Sequence, residues 1–362
     1  MEQRRKNLTQ LFIPICLETL LYMLSGMVDT LMLSSVNDQA VGAVGTANTY
    51  IGIFIIMFSV ISSGMVAVMT QNIGAGRPGV AYQARQLGLA FNAVLGVIMS
   101  LFLSLGAGTI LSGVGVADAL MQPAKTYLQI VGGFCILNAL IPICSSYLRA
   151  FGFSKEPLYA SIIGNVINFC LNAFFLFVLH KGVAGVATAT VISRIINLVI
   201  VVLLGAVLVK AKQHPERESN RAVMGQIIRI GLPSACETAI YNVSMTLVIR
   251  FLNQMDAQGL NVTARSYTMQ ITNFSYCVGA ALAQANAIMT GWHIGAKEYD
   301  ACDRGTKKAA VIGVIVAVIL ETVFTLCSGW IMQLFSKDPQ MVSLVGKLLA
   351  IDIVLEIGRV TN

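Results

Sequence analysis

Apolar residues run through this chain in long blocks, each close to the roughly 20 residues a helix needs to cross hydrocarbon. The blocks lie near 11–35, 47–74, 88–112, 126–150, 157–180, 183–209, 225–253, 265–294, 308–332 and 343–362. Polar, Gly and Pro clusters part them: NDQ at 37–39, GAGRPG at 74–79, FSKEP at 153–157, HKG at 180–182 and SKDP at 336–339. Ten spans are expected, and helical ones, because an open strand in lipid would leave its backbone groups unpaired.

Composition supports this pattern. Hydrophobic residues make up 56% of the chain and charged residues only 11%, against about a quarter charged in soluble domains. Such a chain cannot cover itself with polar surface, so its solvent is lipid. The eight Cys are scattered through apolar runs with no CxxC pair and read as small packing residues. The first apolar run after MEQRRK is too long for a cleavable signal peptide and leads into no polar mature domain.

The formal charge of +7 is mostly topology. Alternating loops place sixteen Lys and Arg on one side, Arg4, Arg5, Lys6, Arg77, Arg85, Lys210 and Lys212 among them. The other side collects six, including Lys125, Lys181 and Lys337. The excess puts the N-terminus in the cytoplasm, which implies a multi-pass protein of the cell (inner) membrane and no nucleic-acid partner. KAKQHPERESNR at 210–221 becomes a cytoplasmic linker.

A repeat crosses that linker. IPICLETLLYMLS (13–25) and LPSACETAIYNVS (232–244) share Pro, Glu, Thr, Tyr and Ser in register at an offset of 219. QNIGAG (71–76) matches WHIGAK (292–297), and NAVLGVI (92–98) matches AAVIGVI (309–315). Six spans separate the copies, so both halves point the same way. A parallel repeat of this kind is common in secondary transporters, with the site between the halves. The division expected is an N-terminal six-helix lobe at 1–209, a linker at 210–224 and a C-terminal lobe at 225–362, cut short in its fourth helix.

Charges inside the spans are the candidate chemistry, because an ionisable group at bilayer depth costs about 2.5–3.5 kcal/mol on insertion scales and so faces a bundle interior or a watery path. Asp29, late in the first span, is the strongest candidate: it can take a proton from one side and lose it to the other, or bind a cation. Asn168 and Asn172 share a helical face in the fifth span, suited to ion binding or interhelical hydrogen bonds, and Thr190 and Ser193 offer hydroxyls from the sixth. Glu18 lies on the face of Asp29, about 16 Å away, and has Glu237 as its repeat partner. The two glutamates can attract a cationic substrate, line a cleft or cap hydrogen bonds within a lobe. The position matching Asp29 in the second copy is Val248, so only one half titrates there. Tyr22 and Tyr241, also matched, can stack on a cation or pack at the interface. Pro14 and Pro233 mark bending points or helix starts. The methionines of the first two spans suit a promiscuous cavity or serve as lipid-facing filler. HExxH, GxSxG and Walker patterns are missing, and His180, His214 and His293 have no ligand spacing, so an intramembrane enzyme is not expected.

Pro14, VDT (28–30), QNIGAG, NVINFCLN (165–172), GVAGVATATVIS (182–193) and LEIGR (355–359) together resemble the multidrug and toxic-compound extrusion (MATE) family, in its bacterial type. The resemblance implies an all-α polytopic fold of twelve helices in two V-shaped lobes around a central cleft. This chain would then lack the last two helices. It also implies secondary antiport, the export of small organic cations or amphiphiles in exchange for H⁺ or Na⁺ by alternating access, with no other cofactor and a monomeric protein. In the family Asp29, Asn168 and Thr190 fall at the first-lobe cation site, and Asn172 stands where many members carry an acid. A Na⁺ site would thus use Asp29, Asn168, Asn172 and Thr190. One branch binds Na⁺ in the second lobe through acids of helices seven and ten, for which Glu237 and Asp352 are the candidates; Arg359 can neutralise Glu356. A lipid-linked oligosaccharide flippase of the same superfamily, with a basic cleft, and a non-transporting fragment are the alternatives.

Overall fold

The computed structural model describes residues 6–35, 38–113, 116, 118–210, 215–255, 260–333 and 338–361. Arg4, Arg5, Lys212, His214 and Lys337, used above for orientation or excluded as ligands, lie outside the described residues. Twelve α-helices and no strand occur among the described residues. They are α1 (Leu8–Ser34), α2 (Asp38–Gly74), α3 (Pro78–Gly113), α4 (Asp118–Tyr127), α5 (Ile136–Ala150), α6 (Lys155–Ala173), α7 (Gly182–Leu208), α8 (Asn220–Met255), α9 (Leu260–Gly295), α10 (Tyr299–Leu326), α11 (Ser328–Met332) and α12 (Pro339–Thr361). Each apolar block became a helix or a broken pair of helices. Among the described residues, six helices are long and apolar enough to cross a membrane, or up to seven if the bent fourth block counts as one span. That is fewer than the ten expected. α8 and α9 (36 residues each) and α12 (23 residues) are long enough, but they carry more polar and charged residues. Large apolar side chains on the outside, such as Leu105, Val207 and Val354, give the helices a surface suited to lipid.

The described residues within Met1–Lys6, Leu21–Cys236 and Gly291–Lys297 gather in one compact unit. Those within Asn7–Leu20, Glu237–Thr290 and Glu298–Asn362 gather in a second. This grouping by packing differs from the division read at 209 and 225: residues 7–20 join the second unit, while 225–236 and 291–297 join the first.

In the first unit α2 packs on α3, α4 and α5, α5 packs on α7, and α6 packs on α7. Ala43, Ala47 and Ile51 of α2 and Leu103, Ala107 and Leu111 of α3 recur every fourth residue and bury one face of each helix. The block read as one span at 126–150 is broken: a π-helical stretch, Leu128–Gly132, leads to a bend of 43° before α5. Ser100 of α3 accepts a hydrogen bond from the Ile136 backbone N–H at 3.0 Å, satisfying a donor at the start of α5. Asn92, fully buried on α3, donates to the Phe58 and Ala139 carbonyls at 3.4 and 3.3 Å.

Glycines on both helices permit a close backbone crossing of α2 and α8 in this unit. A Cβ on Gly231 of α8 would overlap the Val60 carbonyl of α2, and one on Gly64 would overlap the Ile227 carbonyl. Trp292 of α9 lies against Gly74, at the end of α2, and its Nε1 donates to the Ala150 carbonyl at 2.9 Å.

The sequence repeat has a structural counterpart. α2 ends at Gly74 and α9 at Gly295, and two residues later Gly76 and Lys297 both take positive φ, 74° and 61°. Both turns close with the same pair of hydrogen bonds, Ala75 N to Gln71 O and Gly76 N to Ile73 O in the first, Ala296 N to Trp292 O and Lys297 N to Ile294 O in the second.

The described end of the interlobe linker is docked, not loose. Gln83 of α3 exchanges hydrogen bonds with the Glu218 backbone (2.7 and 3.0 Å) and donates to Asn220 Oδ1 at 2.6 Å. Arg77 pairs with Glu218 at 2.5 Å, and Arg217 lies over the Tyr82 ring, 5.6 Å from its centroid.

In the second unit α10 packs along α12, and α11 packs on α12. Ala264 and Ile271 of α9, Met332 of α11 and Met341, Val345 and Leu349 of α12 form its apolar cluster. All eight cysteines are free thiols.

Candidate cation site

The C-terminal half of α1 meets α6 through amides. Asn165, Asn168 and Asn172 lie three and four residues apart, so α6 turns all three toward one side. Asn165 Nδ2 donates to the Leu21 carbonyl of α1 at 3.3 Å. Asn172 Nδ2 donates to Asp29 Oδ1 at 2.6 Å and to Asn168 Oδ1 at 3.2 Å. Asn172 is fully buried, Asn168 is 4% exposed and Asp29 is half-buried. Asn172 Oδ1 is buried without a hydrogen-bond partner among the described residues. Arg194 of α7 is close enough to act electrostatically on Asp29, with no ion pair between them among the described residues.

The structure therefore brings Asp29, Asn168 and Asn172 together. Thr190 and Ser193 are buried on α7, but Thr190 Oγ1 donates to the Val186 carbonyl (2.9 Å) and Ser193 Oγ to the Thr190 carbonyl (2.9 Å). No hydrogen bond joins Thr190 to Asp29 or the amides among the described residues. Asn165 belongs to the quoted NVINFCLN stretch and was missed as a separate contact; its place on the face of Asn168 and Asn172 was the available signal.

The other predicted residues are spread out. Glu18 is half-buried on α1; Glu237 is exposed on α8. Tyr22 is 66% exposed and Tyr241 41% exposed, and Val248 is exposed at the position matching Asp29. Pro14 and Pro233 both lie inside helices beyond the first turn, which removes the helix-start alternative. Asp352 groups with Glu321 and Glu356, a set that does not include Glu237. Arg359 pairs with Glu356 at 2.9 Å, the neutralisation expected of it.

The donors at the α1–α6 seam are oxygens: one carboxylate and two amide carbonyls, one of them buried and unpartnered. Hard cations choose such groups, so the residues present fit an alkali cation or a proton carried on Asp29.

The MatE family model matches residues 14–174 and 233–362, and the two stretches begin on Pro14 and Pro233, at the offset of the repeat. A Bacillus subtilis protein named uncharacterized transporter YisQ is 32% identical over 355 residues, covering 96% of this chain and 78% of that protein. The chain belongs to the MATE family. A Thermotoga maritima protein, named a probable multidrug resistance protein NorM, is 23% identical across 94% of this MATE chain and 74% of its own length. The structure of an outward-facing multidrug resistance MATE family transporter of the MOP superfamily matches in fold with a TM-score of 0.86 at 17% identity, covering 97% of this chain and 78% of that one. This MATE protein is a multi-pass membrane transporter and not an enzyme.

Proposed function

We propose that the protein is a secondary antiporter that exports amphiphilic, often cationic organic compounds in exchange for H⁺ or Na⁺, by alternating access between two lobes in the cell membrane, with its N-terminus in the cytoplasm. The observation that carries this reading is Asp29, held by Asn172 and backed by Asn168 at the seam of α1 and α6. Ionised, Asp29 is a fixed negative charge on α1. Neutralised by a proton or an ion, it loses the force that sets its hydrogen bond with Asn172 and its attraction to Arg194, and α1 repacks. A ligand shifts such an equilibrium only by its differential affinity for the two states. Coupling therefore requires Asp29 to have different surroundings in each.

The driving force is adequate. One positive charge entering yields about 2.3 kcal/mol per 100 mV, and a proton adds about 1.4 kcal/mol per pH unit. Acids within the helices favour cationic cargo over the anionic headgroup of a lipid-linked sugar. In cells, Asp29→Asn is expected to abolish ethidium efflux while leaving membrane expression intact; efflux at the wild-type rate would reject this role for Asp29.

A further inference from the structure

α1 runs Leu8–Ser34, so Asp29 lies about 32 Å along the helix from its start and only about 8 Å from its end. With the N-terminus in the cytoplasm, a cation has a short way to Asp29 from outside and a long way onward. Polar groups of the first unit line that longer distance. Ser161, Asn165, Asn168 and Asn172 fall within about 60° of one another around α6, which starts at Lys155 on the cytoplasmic side. Ile162, Val166 and Phe169, on the remaining faces, are exposed. α7 adds Asn197, whose Nδ2 donates to Ser161 Oγ at 3.5 Å. Between Ser161 and Asn168 stands Gly164, buried, where a Cβ would touch Asn197 and the Ser193 carbonyl at 3.5 Å. The bonds along this row do not close. Asn172 Oδ1 and Asn197 Oδ1 are both buried without a hydrogen-bond partner among the described residues, and the Asn197–Ser161 contact is at the outer limit of a hydrogen bond.

We propose that the α6–α7 seam, with Asn197 and Ser161 at its inner end and Asn168 and Asn172 at its outer end, is the route by which water and the coupling cation pass between Asp29 and the cytoplasm. It rests on the exchange proposed at Asp29. Reach is the first argument: from Asn172 to Ser161 the row covers about 16 Å of the distance inward. Chemistry is the second. Amide and hydroxyl oxygens replace the hydration of a small cation, and being neutral they hold it weakly enough to release it. The unpartnered amide oxygens are the third, because buried acceptors of this kind are met by water or an ion, whereas a seam that only fastened two helices would pair them with each other. Pro157 and Leu158, buried on the same face of α6, close the last stretch between Ser161 and Lys155. Such a block is what alternating access requires, since a path open at both ends would leak the gradient.

The test compares net transport with exchange in proteoliposomes holding the full chain. Asn197→Leu replaces the amide by an apolar group of similar reach. Ethidium efflux driven by a pH or sodium gradient should fall by about tenfold or more in this variant. Exchange of labelled for unlabelled ethidium needs only the loaded carrier to rock, and should stay within about twofold of the wild type. Asn197→Ser, which restores an oxygen and leaves room for water, should recover most of the gradient-driven rate. The melting temperature of Asn197→Leu in detergent should not fall. Wild-type efflux in Asn197→Leu, or a lower melting temperature with efflux and exchange lost together in both variants, would overturn the proposal. Asp29→Asn runs alongside to separate the two readings. If it loses efflux while Asn197→Leu does not, the seam alone is rejected; if it transports at the wild-type rate, the exchange at Asp29 falls and the seam with it.

Discussion

Asp29 keeps its carboxylate in an apolar helix because Asn172 donates to it from the neighbouring helix, with Asn168 holding that amide in place. Asn172→Ala removes the donor and leaves a half-buried acid without it, at a cost of about 1–3 kcal/mol, to be read as a lower melting temperature in detergent with loss of transport. Lys297 stands at the opposite extreme, a non-glycine residue at φ 61° where its repeat counterpart Gly76 sits without penalty. Left-handed backbone costs an L-residue about 1–2 kcal/mol and glycine gives back about 0.5–1 kcal/mol in entropy, so Lys297→Gly should raise stability by up to about 1 kcal/mol. A lower melting temperature would show that the lysine side chain does more than occupy the turn. At this scale the sequence was informative where spacing decides contact: Asn168 and Asn172 share a face, and one of them reaches Asp29. It was uninformative about Thr190, because a helical threonine can spend its hydroxyl on the carbonyl one turn back, which it does here. Nor did it say which of the acids on α10 and α12 would meet, since that depends on how two helices pack.

Elements were legible as apolar blocks, and their breaks were not. The fourth block reads as one continuous run, yet it bends where a π-helical stretch and Gly133 precede α5, because hydropathy carries no record of hydrogen-bond register. Close crossings of α2 and α8 were equally hidden, since a lone glycine in an apolar run announces nothing about its neighbour. They are testable as a pair. Gly231→Ala drives a methyl into the Val60 carbonyl and should cost about 1–3 kcal/mol, whereas Gly225→Ala, on the same helix with open space around it, should gain about 0.5–1 kcal/mol. Equal effects on the melting temperature would mean that the crossing is not what Gly231 serves. The docked linker gives a second contrast: Gln83→Ala removes three part-buried hydrogen bonds to Glu218 and Asn220, each worth about 0.5–1.5 kcal/mol, while Arg77→Ala removes an exposed ion pair worth about 1 kcal/mol or less.

On the scale of the molecule, the repeat was the most informative feature of the sequence. The Pro, Glu, Thr, Tyr and Ser in register at 13–25 and 232–244 anticipated the two stretches matched by the family model, and the paired turns at Gly76 and Lys297 show the same duplication in the backbone. What the repeat could not disclose is how helices group in a given conformation, because α1, α8 and α9 each divide between the two units. The asymmetry at Asp29 and Val248 places the proposed exchange in one half alone. The most direct measurement is ethidium efflux from proteoliposomes holding the wild type or Asp29→Asn, with pH and sodium gradients imposed separately. Wild-type efflux driven by one of the two gradients and absent from Asp29→Asn is the predicted result. Gradient-driven efflux of equal rate in both proteins would contradict it.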